Sequence, residues 1–279
     1  MVGARAHSCS NGKDWNPEAM QIKFSEDVIL DSRRAILLPR QETLVLADLF
    51  LGLGAARRKR PDPVPNGQHH EIWERLLGLL DDFKPKRVVL LGDIKPNQGH
   101  LEDEEGEELR ALFQKLQGHG REVIQVVGHP ERAWGPSLEN TGIQPLDSYR
   151  VGANTLMHRR RIFVYPRHDP PTGFWINGGL HPLFALPLTD ADGGAGWIRY
   201  PAFLYTGFAM VMPSFVSYAQ GWEVMQPERL PKQARAWKVV GDYQISPIDL
   251  TVLPNPPESQ RLVVRPQAKN RRKEVAPEG

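Results

Sequence analysis

Three stretches of this sequence place polar side chains directly after apolar runs. Leu44-Val45-Leu46-Ala47 is followed by Asp48, Val88-Val89-Leu90-Leu91 by Gly92-Asp93, and the run ending at Val127 by Gly128-His129-Pro130-Glu131. A short uninterrupted apolar run reads as a strand buried on both faces, and in open α/β sheets ligands bind beyond the carboxyl ends of the strands. Two aspartates converging there, beside a glycine-marked third turn, suit a hard cation. Two ions about 3.5–4 Å apart would activate water against a phosphate ester.

The elements that must position these residues follow a regular rhythm. Ala35–Leu38 and Thr43–Ala47 read as strands separated by a turn at Pro39-Arg40-Gln41-Glu42. Over 68–83, Ile72, Trp73, Leu76, Leu77, Leu80 and Phe83 recur at helical spacing, and Pro85 marks the end. A strand over Val88–Leu91, a helix over 104–117 with Leu109, Leu112, Phe113 and Leu116 inward, and a strand from Glu122 to Val127 complete a βαβαβ series. The second half changes character. Ile162–Tyr165, Phe174–Ile176 and Phe208–Met212 read as short strands among Pro and Gly, with no strong helix, which predicts an antiparallel or mixed second sheet packed on the first. No internal repeat is present.

The bulk numbers agree with one α/β domain. The chain has 279 residues, 40% hydrophobic and 24% charged, enough for a sizeable core. Its 25 Pro and 25 Gly predict many turns. A net charge of +2 says little about partners. The single cysteine, Cys9, excludes an internal disulfide framework and a zinc-thiolate set. No apolar run is long enough to span a membrane, and no apolar leader is present at the start, so the expectation is a cytoplasmic protein without a membrane partner. The expected organisation is a loose N-terminus over 1–18, one domain over 19–252, and a basic, Pro-rich tail over 253–279.

The order of these motifs resembles the calcineurin-like metallophosphoesterases, whose series runs Asp-x-His, Gly-Asp, Gly-Asn-His-Asp and Gly-His-x-His. The resemblance is nearest to the bacterial branch associated with DNA ligase and helicase genes, which implies a DNA-repair setting. That branch has a Leu-Val-Leu-Ala-Asp-x-x-Leu-Gly strand, a basic segment and a Val-Pro-x-Gly turn. Here these are Leu44 to Gly52, Arg57-Arg58-Lys59-Arg60, and Val64-Pro65-Asn66-Gly67. Gly178-Gly179-Leu180-His181-Pro182, Pro201-Ala202-Phe203 and Met212-Pro213-Ser214-Phe215 match its closing portion, so the resemblance covers roughly residues 22–225. It implies a two-sheet sandwich flanked by helices, an αββα arrangement.

The departures from the family pattern are as informative as the matches. By that pattern one ion would be held by positions 48, 50, 93 and 181, and Asp48, Asp93 and His181 are present while Phe50 replaces a histidine. The other would use positions 93, 129, 179 and a further histidine, for which His168 is the nearest in sequence. There His129 replaces asparagine and Gly179 replaces histidine. Pro130 stands where the family has its catalytic histidine and cannot act as an acid. The resemblance therefore implies no two-metal centre, and either no cofactor or one divalent ion (Mn, Mg or Zn) at Asp48, Asp93 and His181, with His129 and His168 as further candidates. Lys95 or Asn97 would support that ion, or Lys95 would replace a lost cation. Two unneutralised carboxylates side by side predict that Asp48→Ala and Asp93→Ala leave stability unchanged or raise it.

Each motif also has a plain structural reading. Asp48 and Asp93 would serve as turn residues, His181 as a packed histidine, His129 as structural. His69-His70 reads as exposed, and the acidic run from Glu102 to Glu108 as a solvated helix start. Arg57, Arg58, Lys59 and Arg60 leave the first motif at the mouth of the site and suit phosphate backbones, or form a solvated loop. Arg159-Arg160-Arg161 and the tail add positive charge, and Trp134, Trp175 and Trp197 suit either base stacking or packing. Two functions follow. One is a metallophosphoesterase fold without the usual catalysis, retained for binding nucleic acid or a protein partner. The other is a single-ion phosphodiesterase.

Overall fold

The computed structural model describes residues 20–51, 68–92, 94, 103–127, 143, 145–158, 173–189, 195–217, 221–224, 230–251 and 253. A first sheet has the order β1(Gln21–Ser25), β2(Val28–Asp31), β3(Ala35–Leu38), β4(Thr43–Ala47), β5(Arg87–Leu91), β6(Glu122–Val126), β7(Pro145–Leu146). Its first four strands pair antiparallel, and β4 to β7 run parallel. Parallel neighbours need crossovers, and α1(Gln68–Phe83) and α2(Asp103–Gln117) lie in the β4–β5 and β5–β6 connections, at the ranges their apolar spacing predicts.

The second sheet has the order β14(Trp222–Glu223), β11(Pro182–Thr189), β12(Ala195–Tyr205), β13(Ala209–Val211), β10(Trp175–Gly178), β9(Asn154–His158), β8(Ser148–Val151). β15(Arg235–Val240) also pairs with β12, and β16(Gln244–Ile248) with β15. The sheet is mixed, since β10 runs parallel to both β9 and β13. The strand expected over Ile162–Tyr165, the loose N-terminus and all of the tail except Leu253 lie outside the described residues.

Strand alternation explains the three core layers. On β4, Leu44 and Leu46 face the helices, packing with Leu76, Leu80, Leu112 and Phe113. Val45 and Ala47 face the other way, into a core shared with Leu156, Ile176, Phe203, Met210 and Met212 of the second sheet. A third cluster, Phe184, Ala202, Leu204, Val211 and Ala236, is capped by Leu230, Ile248, Leu250 and Leu253 on the outer face. The result is the expected sandwich of two sheets, with helices, among the described residues, on the first sheet's outer face where the αββα expectation had them on both. Among the described residues no helix is long and apolar enough to cross a membrane.

Candidate functional site

Strands β4 and β5 end level with one another, Ala47 opposite Leu91, and across the core β9 and β10 end with His158 opposite Gly178. The carboxyl ends of parallel strands from both sheets therefore meet at one place, and Asp48 is the residue that fills it. Its side chain is fully buried. His158 Nε2 lies 2.6 Å from Asp48 Oδ1, the Gly179 N–H donates to Oδ2 at 2.8 Å, and His181 Nε2 lies 3.1 Å from Oδ2. The backbone of Asp48 is held as well. Its N–H donates to Leu91 O at 3.0 Å, and its carbonyl accepts from Ser214 Oγ at 2.8 Å. Every polar atom of Asp48 is engaged with another part of the chain.

Burial alone would push the Asp48 carboxyl up. The charges of His181 and His158, with their hydrogen bonds, outweigh it and hold the group well below the usual carboxylate range. An ionised carboxylate only accepts hydrogen bonds, so His158 turns a protonated Nε2 toward Oδ1, while His181 Nε2 stands at ion-pair distance from Oδ2. Asp48 is thus not an unneutralised carboxylate, and the expectation that its removal leaves stability unchanged or raises it is reversed: its loss strands two polar rings and an N–H in a dry interior.

Three non-glycine residues of these loops sit in the left-handed region, as Arg34, Glu42, Lys84 and His119 do elsewhere in the chain. Asp48 has φ 57°, Phe50 φ 46° and His181 φ 48°, all in the left-handed region, which costs a non-glycine residue roughly 1–2 kcal/mol. Such strain persists where the surroundings over-determine it. Here the clamps are the Ser214 bond, the Phe215 N–H donated to Ala47 O at 2.7 Å, and the Leu51 N–H donated to Ile94 O at 2.6 Å. Glycine provides the remaining room. A Cβ on Gly92 would overlap the His158 ring, and one on Gly179, at φ 87°, would stand 2.8 Å from it. The imidazole of His158 occupies the space that these two residues leave empty, and its side chain is only 2% exposed.

Of the residues nominated from the sequence, the structure brings together Asp48, His181, Phe50 and Gly179. Phe50 packs edge-on against His181, ring centroids 5.4 Å apart at 88°. Gly179 contributes its N–H rather than a side chain. Asp93, His129, Pro130, His168, Lys95, Asn97, Trp134, Arg159 to Arg161 and the basic segment Arg57, Arg58, Lys59, Arg60 lie outside the described residues. His158 was missed. Its signal was present in Thr155-Leu156-Met157-His158, a polar residue closing an apolar stretch as Asp48 does, but the following Arg159-Arg160-Arg161 draws attention to charge instead. His70 is exposed and pairs with Glu74 at 2.9 Å, away from any site. Residues 103–108 of the acidic run open α2. Trp175 and Trp197 are half-buried strand residues. Among the described residues, Asp48, His158 and His181 bring two imidazole nitrogens within 3.1 Å of one carboxylate.

A parallel-centred sheet faced by helices, packed on a mixed second sheet with the strand ends converging on Asp48, is a metallophosphoesterase-like fold. Among solved structures it matches the crystal structure of the Pseudomonas putida nuclease MPE, with a TM-score of 0.58 and 20% sequence identity, over 79% of this chain and 94% of that one. No protein-family model matches the chain, and no curated protein matches it.

Proposed function

We propose that this chain keeps the metallophosphoesterase scaffold without two-metal phosphoester hydrolysis, and that it is retained for binding, with nucleic acid favoured over a protein partner. The observation that carries the reading is the Asp48 carboxylate, fully buried and engaged through both oxygens by the chain's own donors. His158 presents an N–H rather than a lone pair to it, and Phe50 and Gly179 carry no side-chain donor atom for an ion. Pro130 removes the family's acid. The nucleic-acid preference rests on Arg57, Arg58, Lys59 and Arg60, which leave the Asp48 loop in sequence, and on the likeness to a nuclease fold.

Metal content of the purified protein, with Mn²⁺ titration followed by thermal shift, tests the first half. The expected outcome is no stoichiometric ion and no stabilisation at millimolar Mn²⁺. Fluorescence anisotropy with single- and double-stranded oligonucleotides tests the second. Binding should weaken with salt, and replacing residues 57–60 with Ala should flatten that dependence by up to about 0.9 log units per lost phosphate contact. Oligonucleotide binding that is absent at low salt sinks the nucleic-acid reading and leaves a protein partner.

A second reading, a phosphodiesterase using one divalent ion at Asp48, Asp93 and His181, gains one specific support: His158 adds an imidazole beside Asp48. About one equivalent of ion, lost in Asp48→Asn, would favour it over the first.

A further inference from the structure

The β11–β12 hairpin extends beyond the sheet that carries it. β14 pairs only with Pro182 and Leu183 of β11, and β15 pairs only with residues 202–205 of β12. Among the described residues, 184–189 and 195–200 therefore pair with each other alone, and a two-stranded ribbon is marginal in water without an apolar cover. Alternation places Phe184, Leu186 and Leu188 on one face, opposite Tyr200, Ile198 and Gly196. The inner end of that face is covered: Phe184 and Ala202 belong to the cluster that Leu250 and Leu253 cap. The outer end is not. Leu188 is 49% exposed and Ile198 37% exposed.

The chain arriving at this face goes on. Leu253 is the last described residue, and the sequence continues to Arg261-Leu262-Val263-Val264-Arg265, an apolar triplet of the kind that suits an extended strand, bounded by Pro257 and Pro266. Leu262 lies nine positions beyond Leu253, a reach of about 30 Å when extended. From Phe184 to Leu188 the ribbon runs only about 13 Å. Charge agrees with apolar pattern, since the connection between the two strands carries Asp190 and Asp192 while arginines flank the triplet.

We propose that residues 261–265 of this same chain lie along the outer face of the β11–β12 ribbon, Leu262 and Val264 covering Leu186, Leu188 and Ile198. The tail is then a continuation of the cap begun at Leu250, and the ribbon is a docking surface for a segment of its own chain.

Pairwise cysteines test this in the full chain, with Cys9→Ser as background. Under mild oxidation Leu188→Cys with Val264→Cys should lose both thiols and remain monomeric on a non-reducing gel. Tyr243→Cys with Val264→Cys, placed on an exposed turn elsewhere, should keep its thiols free. Disulfide-linked dimers would show a second copy on the ribbon instead, and free thiols in the 188/264 pair would show no docking; either result overturns the proposal. Independently, Leu262→Asp with Val264→Asp should raise amide exchange in 184–189 and 195–200 at least tenfold and leave β4 to β6 unchanged. Unaltered exchange in the ribbon overturns it as well.

Discussion

Asp48 and Arg75 are both buried charges, and the chain accommodates them in opposite ways. Arg75, on α1, is 4% exposed, but its partners reach water. Its Nε donates to both carboxylate oxygens of Asp242 at 2.9 Å and its Nη2 to Glu71 at 2.7 Å, and those side chains are 39% and 31% exposed. Nη1 donates to Phe215 O, and the guanidinium lies 5.2 Å from the Phe215 ring centroid. None of this requires unusual backbone at Arg75. Asp48, by contrast, has only interior partners, sits at a left-handed backbone position and depends on neighbouring residues without side chains. A tie between helix, turn and loop can be built from regular elements. A carboxylate fixed beyond strand ends needs strain and clamps, the mark of a geometry kept for the site rather than for the fold.

The largest effect should come from Asp48→Ala, at about 3–5 kcal/mol in urea unfolding, because both histidines lose a buried counter-charge. A loss under 1 kcal/mol would mean that the cluster relaxes as easily as a surface pair and would erase the contrast. Arg75→Ala should cost less, about 2–3 kcal/mol, since Glu71 and Asp242 can return to water when their partner goes. Equal losses at both positions would say that exposure of the partners does not matter.

Ser214→Ala should cost about 1 kcal/mol by freeing the Asp48 carbonyl. It should cost nothing further in an Asp48→Ala background if the serine acts only through that residue, as a double-mutant cycle would show. The smallest effect is in acid. The folded carboxyl of Asp48 is held below its ordinary value of 3.8, so between the two values the unfolded chain binds more protons. The stability that separates wild type from Asp48→Asn should be fully present at about pH 5 and shrink as pH falls through 4. A gap that widens in acid would mean that Asp48 is protonated in the fold.

Much of the first sheet was legible because its strands are unbroken apolar runs and its helices repeat cleanly, as in Val88–Leu91 and Ile72 to Phe83. In the second sheet β10 and β13 were legible at Phe174–Ile176 and Phe208–Met212, while β11 and β12 hid behind proline. Pro187 pairs with Trp197 and Pro201 with Leu183, so an eight-residue and an eleven-residue strand read as punctuated loops. Proline is tolerated there because neighbouring stretches of both strands lack a partner on their far edge. At the site, Asp48 and His181 stood out by position after a strand and within a glycine turn. That they would meet followed from the family resemblance; what the sequence did not reveal was the part of His158 and of the Gly179 N–H, which β9 and β10 bring across the core. The Arg75 cluster was illegible for the same reason: Asp242 is distant in sequence, in the turn between β15 and β16.

The Asp48 contacts have a consequence for the order of folding. His158, Gly179 and Ser214 lie 110, 131 and 166 residues downstream of it. Contacts across such separations close large loops and form late, after the local βαβ units of the first sheet. Until the second sheet docks, the aspartate remains in water on a half-built domain. Its interactions would then be absent from the transition state, so they slow unfolding while leaving the folding rate nearly untouched, and the cluster acts as a latch on the finished sandwich.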